Sequence, residues 1–288
     1  MMNYRFLAIL LTVSLAIPFS PIAAQSTESL LQKGYAAQSL ANYSDAERVF
    51  QRILAQDPRN LEAHIHLANA FYNQGKLTQA IATYEKAIQI DPKNPYLYYN
   101  LGITLAEQGN LVEAIATYHH ALEVDPQFTD AYYNLGLAQY AQGDIAQGMT
   151  NFQRAIESNP DDSDAYIWLG KGYYFYKEVN KAIETWKKAI EVDDQAVYAY
   201  NSLADLYAQQ GQYAEAIAYY HQALAVPDQQ GIPVSAHTLA HNGLGEVLQE
   251  QGNLEGAIKE YQESIRLDPS FAHAKKNLEE VQKKLVTQ

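Results

Sequence analysis

An all-α chain of stacked helix-turn-helix units is the fold this sequence predicts, and three observations predict it. Similar segments recur at a fixed spacing. Apolar residues within each segment follow a helical period. Proline closes most of them. Four segments carry the pattern most plainly: NQGKLTQAIATYEKAIQIDP, EQGNLVEAIATYHHALEVDP, AQGDIAQGMTNFQRAIESNP and EQGNLEGAIKEYQESIRLDP. Pro58, Pro92, Pro126 and Pro160 lie 34 residues apart. A fixed period of this length marks a repeat architecture rather than a single closed core.

Each position in the unit has a physical reason. In residues 95–128, Tyr98, Leu101, Gly102 and Leu105 share one face of a first helix. Gly102 and Ala114 are small, so two helix backbones can approach closely. Gly109 lets the chain turn between the helices. Tyr118 and Ala121 continue the apolar face on the second helix, and Pro126 cannot extend it. A hairpin this short cannot bury its apolar faces alone, so neighbouring units must cover each other in one continuous array.

These residues resemble the tetratricopeptide (TPR) family. That pattern places a large residue at position 4 of the repeat, Leu and Gly/Ala at 7 and 8, a large residue at 11 and Gly at 15, then Ala at 20, an aromatic at 24, Ala at 27 and Pro at 32. Tyr98, Leu101, Gly102, Leu105, Gly109, Ala114, Tyr118, Ala121 and Pro126 fill those slots in turn. Seven repeats follow: 27–60, 61–94, 95–128, 129–162, 163–196, 197–230 and 238–271. Residues 231–237 (GIPVSAH) break the spacing as an insert. Residues 272–288 read as a capping helix with a stripe of Ala274, Leu278, Val281 and Leu285. The resemblance implies a right-handed α-solenoid that binds partners on its concave surface. Departures from the pattern are Lys33 at slot 7, Ala41 and Lys177 in place of the turn glycine, and Gly148 in place of alanine.

The first 24 residues read as an export signal: Arg5, an apolar run from Phe6 to Ile17, then Pro18, Pro21 and Ala23-Ala24. A run of about 12 residues makes roughly 18 Å of helix, short of a bilayer core of about 30 Å. Export to a periplasm, lumen or the cell exterior is expected, with no stable membrane span after cleavage; an N-terminal membrane anchor is the alternative.

Composition narrows the chemistry. There is no cysteine, which removes disulfides, thiolate nucleophiles and Cys-ligated metals. A formal net charge of −13 repels phosphate backbones and argues against nucleic acid as a partner. His64 and His66, and the adjacent His119 and His120, diverge on their helices. His237 and His241 have the i, i+4 spacing of a metal pair but lack an evident third ligand. No nucleophile, phosphate-loop or metal motif appears. No enzyme activity, cofactor or metal is therefore expected.

Tyrosine is the unusual feature: 23, against 8 phenylalanines and 2 tryptophans. Ten occupy packing slots and are expected in the core: Tyr84, Tyr98, Tyr118, Tyr132, Tyr166, Tyr173, Tyr200, Tyr207, Tyr220 and Tyr261. Eight others fall at positions 2, 5, 9 or 12 of a first helix: Tyr35, Tyr72, Tyr96, Tyr99, Tyr133, Tyr140, Tyr174 and Tyr198. At about 100° per residue those positions span about 80° and turn away from the packing slots. The resemblance implies that this second face lines the concave surface. The expected partner site is Tyr72, Tyr96, Tyr99, Ile103, Tyr133, Leu137, Tyr140, Ile167, Lys171, Tyr174 and Phe175, densest in the third to fifth repeats. Some of these rings can instead serve packing between repeats.

Asp130, Asp161, Asp162 and Asp164 flank the stripe, with Asp205, Glu246 and Glu250 further on and Lys171 as the opposing charge. The expected ligand is a protein or peptide with apolar or aromatic anchors and basic neighbours. The family's carboxylate-clamping mode is unsupported, because Ile65 fills the lysine slot beside Asn69. Glycan binding through the tyrosines and self-association through repeat ends or the insert are the alternatives. The sequence leaves the oligomeric state open.

Overall fold

The computed structural model describes residues 26–227 and 235–287. The expected signal, and residues 231–234 of the insert, lie outside them. Among the described residues there are fifteen helices and no strand. The chain divides into two compact units, Met1–Lys76 and Leu77–Gln288. The division falls inside the second repeat, where the 34-residue spacing continues unchanged, so the repeat pattern does not mark it.

In the first unit, α1 (Thr27–Ser39), α2 (Tyr43–Gln56) and α3 (Leu61–Asn73) pack around Leu30, Phe50, Ile53 and Leu67. Asn42 and Asn60 cap α2 and α3, their side-chain oxygens accepting from Asp45 N and Ala63 N. Lys76 reaches Glu47 at 2.7 Å.

The second unit runs through α4 (Leu77–Ile90), α5 (Pro95–Glu107), α6 (Leu111–Val124), α7 (Thr129–Gln142), α8 (Ile145–Ser158), α9 (Ser163–Phe175), α10 (Val179–Val192), α11 (Val197–Gln209), α12 (Tyr213–Ala225), α13 (Ala236–Glu250), α14 (Leu254–Leu267) and α15 (Ala272–Thr287). Ala114, Ala182, Ala216 and Ala257, one per second helix, are completely buried at the helix crossings. A Cβ added at Gly102 would sit 2.5 Å from the Tyr118 ring, and one at Gly170 would sit 2.4 Å from Trp186. The large rings of Tyr118 and Trp186 on the second helices thus lie directly against the small residues of the first. Gly148 has a related cause: a Cβ there would meet the Gly136 carbonyl oxygen at 2.9 Å.

The ends of the helices follow local chemistry. Asn94, Asp144, Asp162 and Asn253 accept hydrogen bonds from the first turns of α5, α8, α9 and α14. Gly109 turns the chain at φ 90°, in the left-handed region. Ala41 and Lys177 adopt the same region, at φ 53° and 61°, so the turn survives the loss of its glycine. On α15, Ala274 and Val281 are buried and Leu278 packs beside them, whereas Leu285 stands exposed.

Four of the ten tyrosines expected in the core are buried there: Tyr84, Tyr118, Tyr220 and Tyr261. The other six are half-buried. The phenol group explains this correction in three of them: Tyr98, Tyr132 and Tyr200 donate to the carbonyls of Pro92, Pro126 and Asp194 at 3.2, 3.2 and 3.3 Å. Those acceptors lie in exposed inter-helix turns, so the ring is held at the boundary with solvent.

Candidate functional site

The eleven residues expected to meet a partner separate by exposure. Tyr96 is 61% exposed, Phe175 60% and Tyr174 38%. Tyr72, Tyr99, Ile103, Tyr133, Leu137, Tyr140 and Lys171 are half-buried. Ile167 is only 4% exposed and belongs to a core with Trp186, Leu203 and Leu206. The Trp186 indole N–H donates to the Ile167 carbonyl at 3.1 Å, closing the backbone off as well. Ile167 therefore supports the face from beneath and offers no surface of its own. Tyr72 lies in the first unit, and the other ten lie in the second.

Five tyrosines of the second face in the second unit lean on a neighbouring ring. Tyr96 and Tyr99 pack against Phe128 at 4.8 and 5.0 Å between centroids. Tyr133 lies 5.9 Å from Phe152, and Tyr140 meets Trp168 edge-on at 5.3 Å. Tyr174 rests against Trp186 at 6.0 Å, and its hydroxyl donates to Gln209 Oε1 at 2.5 Å. Phe152 and Trp186 belong to the second helix of the same repeat, whereas Phe128, Trp168 and Gln209 tie the ring to the start or the first helix of the next repeat. Packing and exposure coexist in the same side chains.

The electrostatics of the face are acidic with one cation. Burial, and then the Asp130 carboxylate, push the Tyr99 hydroxyl above its usual range, while a hydrogen bond donated by Asn134 at 3.1 Å opposes them. Burial raises Tyr133 too, with Asp164 and Asp162 adding to it. Lys171 lies over the Trp168 ring, 4.2 Å from its centroid. Desolvation lowers its affinity for a proton and Asp164 restores part of it.

A recess lies further along than the sequence suggests. A cavity of about 630 Å³ opens between α9, α11, α12 and α13. It is lined by Lys171, Tyr198, Asn201, Asp205, Glu246 and Glu250, among others. Tyr198, Asn201, Asp205 and Ala208 hold positions 2, 5, 9 and 12 of their repeat. The second face defined by angular position therefore lines this cavity, which lies mainly in the sixth and seventh repeats. There the slots that hold Tyr99 and Tyr133 earlier in the chain hold Asn201 and Asn242.

A polar network braces that wall. The Tyr220 hydroxyl donates to Asp205 Oδ1 at 2.5 Å. Asn242 and Asn277 both donate to Glu246 Oε1, at 2.8 and 2.9 Å. The crowded walls push the Asp205 carboxyl upward by desolvation, and Glu246 adds to this, against the Tyr220 hydrogen bond. Asp205 still keeps contact with solvent across the open side of the cavity. The sequence points to Asp205, Glu246 and Glu250 but not to Asn201, Asn242 and Asn277. For Asn201 and Asn242 the available signal was asparagine replacing an aromatic in the fifth slot of successive repeats.

His237 Nε2 is 2.8 Å from the Val226 carbonyl oxygen, and His241 Nδ1 is 2.7 Å from Glu260 Oε2. Among the described residues no group of three His, Cys, Asp or Glu side chains could hold a metal. No described helix is long and apolar enough to cross a membrane.

Comparison with known proteins agrees with this architecture. Models described as "TPR repeat" match residues 68–109, 104–143 and 177–211. Models described as "Tetratricopeptide repeat" match 129–162, 199–233 and 238–271. Among solved structures, a tetratricopeptide repeat protein from Parabacteroides merdae ATCC 43184 is 19% identical, covers 89% of this chain and 98% of its own, and superposes with a TM-score of 0.68. YrrB, titled a TPR protein with an unusual peptide-binding site, is 21% identical over 64% of this chain and 92% of its own, with a TM-score of 0.52. MamA is 24% identical over 59% of this chain and 92% of its own, with a TM-score of 0.54. These identities speak for the fold alone. No match was found among curated proteins. The matched segments together span more than half of the sequence, and the chain belongs to the tetratricopeptide repeat family.

Proposed function

We propose that this chain is a non-enzymatic binding scaffold that holds a segment of a partner protein along the second face of its first helices. The single observation that carries the reading is the exposure of Tyr96, Tyr174 and Phe175 on a face flanked by carboxylates. Exposed apolar rings on a folded domain mark interaction surfaces, and tyrosine is over-represented among residues that dominate binding energy. The acidic surroundings favour a segment with aromatic or apolar anchors and basic neighbours.

The test is a selection of 15-residue peptides displayed in random sequence against the full chain. The expected outcome is enrichment of aromatic residues interleaved with Arg or Lys. A variant carrying Tyr96→Ala, Tyr174→Ala and Phe175→Ala is expected to lose some stability but stay folded, and to bind the selected peptides at least about tenfold more weakly. Enrichment of acidic peptides, or full binding by the folded variant, would contradict the reading.

Export is the second part of the proposal: the scaffold acts beyond a membrane, helping to assemble or retain an envelope complex. Arg5, the apolar run Phe6–Ile17 and the Ala23-Ala24 exit support it. Residues 1–30 fused to a reporter active only after export should give activity. An inactive, cytosolic fusion would sink this part and leave the binding face untouched.

A further inference from the structure

The cavity at α11 and α13 is chemically one-sided. Asp205 and Glu246 occupy the ninth slot of their repeats, as Lys171 does two helices earlier. Glu250 follows Glu246 by one helical turn. Three carboxylates therefore line a recess whose one cation is Lys171, and that ammonium is already engaged over the Trp168 ring. Tyr220 orients the Asp205 carboxylate through one oxygen, and Asn242 and Asn277 orient Glu246 through one oxygen. The second oxygen of each has no partner among the described residues.

Asn201 adds an unsatisfied buried acceptor to the same wall. It lines the same cavity yet is only 5% exposed. Its Nδ2 donates to the Ala236 carbonyl at 2.8 Å, which fixes the amide plane. Its Oδ1 is then left without any hydrogen-bond partner among the described residues. A buried acceptor in that state is unfavourable unless something donates to it. The one buried side-chain atom left unsatisfied on this wall is an acceptor, and three of its four charged groups are carboxylates, so the complementary ligand is a donor-rich cation.

We infer that this cavity receives the guanidinium of an arginine side chain. The inference rests on the groove reading, in which that arginine belongs to the bound segment. A guanidinium carries five N–H donors in one plane and no acceptor, which suits acceptors spread over two helices. It is more weakly hydrated than an ammonium, and its flat faces pack on aromatic rings such as Tyr198 and Tyr213, which also line the cavity. An anion would meet three like charges. A divalent metal would need the carboxylates gathered at one point, and no such group exists among the described residues.

The test uses three small probes on the full chain: the amides of Nα-acetyl-arginine, Nα-acetyl-lysine and Nα-acetyl-citrulline, the last a neutral isostere of arginine. Binding is followed by calorimetry and by the NMR signals of the Asn201 side-chain amide. Arginine amide should saturate one site and move the Asn201 signals, with citrulline amide at least about tenfold weaker and lysine amide intermediate. Glu246→Gln and Glu250→Gln, which keep the side-chain shape, should each weaken arginine binding several-fold. Glu113→Gln on the distant α6 should leave it unchanged. Absence of saturable arginine binding, equal binding of citrulline, or indifference to both glutamate variants overturns the inference. Lysine amide binding as tightly as arginine overturns the guanidinium assignment.

Failure here is separable from failure of the groove. Selected peptides that bind but keep full affinity for the two glutamate variants would discard the arginine pocket and retain the groove. Arginine amide filling the pocket while no peptide binds would do the reverse.

Discussion

Lys177 sits at φ 61° in the turn between α9 and α10, where most of the repeats place glycine. The left-handed region is open to glycine but strained for a residue with a Cβ, by about 1–2 kcal/mol. Glycine loses part of that gain through the freedom it adds to the unfolded chain. Lys177→Gly is therefore expected to stabilise the protein by about 0.5–1 kcal/mol, a rise in the thermal midpoint of about 1–3 °C. A calorimetric scan checks it, and an unchanged or lowered midpoint would contradict the strain account. Both glycine-less turns were visible in the sequence as missing glycines at Ala41 and Lys177. The retention of the turn geometry was not, because it depends on the flanking helices holding the residue in place.

The two faces of the first helices were unequally legible. The packing face follows from spacing and size, since Gly102 beneath Tyr118 and Gly170 beneath Trp186 leave no room for a methyl group. Overfilling such a contact costs about 1–3 kcal/mol, which is why the small residue recurs in phase. Spacing says less about what each ring end requires. Tyr98, Tyr132 and Tyr200 occupy packing slots, yet their hydroxyls reach for turn carbonyls and keep the rings at the surface. Conversely, Tyr219 lies outside the slots and still stacks on Tyr207 at 5.5 Å, almost parallel. Ile167 was placed on the outward face by its angle, and the neighbouring α10 and α11 enclose it through Trp186 and Leu203. An angle on one helix does not reveal how far the next helix overlaps it.

Across the second unit, the face defined by angular position also lines the acidic cavity, which lies beyond the repeats where the aromatic stripe is densest. Aromatic residues concentrate the stripe in the third to fifth repeats, where the rings also fill the space between helices. Where Asn201 and Asn242 replace those rings, the space stays open and becomes the acidic cavity. That exchange is written in single residues from separate repeats, and it acquires meaning only once α11, α13 and α15 bring Asn201, Asn242 and Asn277 to neighbouring positions. The central claim is that partners meet the second face of the first helices rather than the outer helices. Hydroxyl-radical footprinting with a selected peptide bound tests it most directly. The account predicts protection of Tyr96, Tyr174, Phe175, Tyr198 and Tyr213, with His120 and Val112 on α6 unchanged. Protection confined to α6, α8 and α10, or to α15, would contradict it.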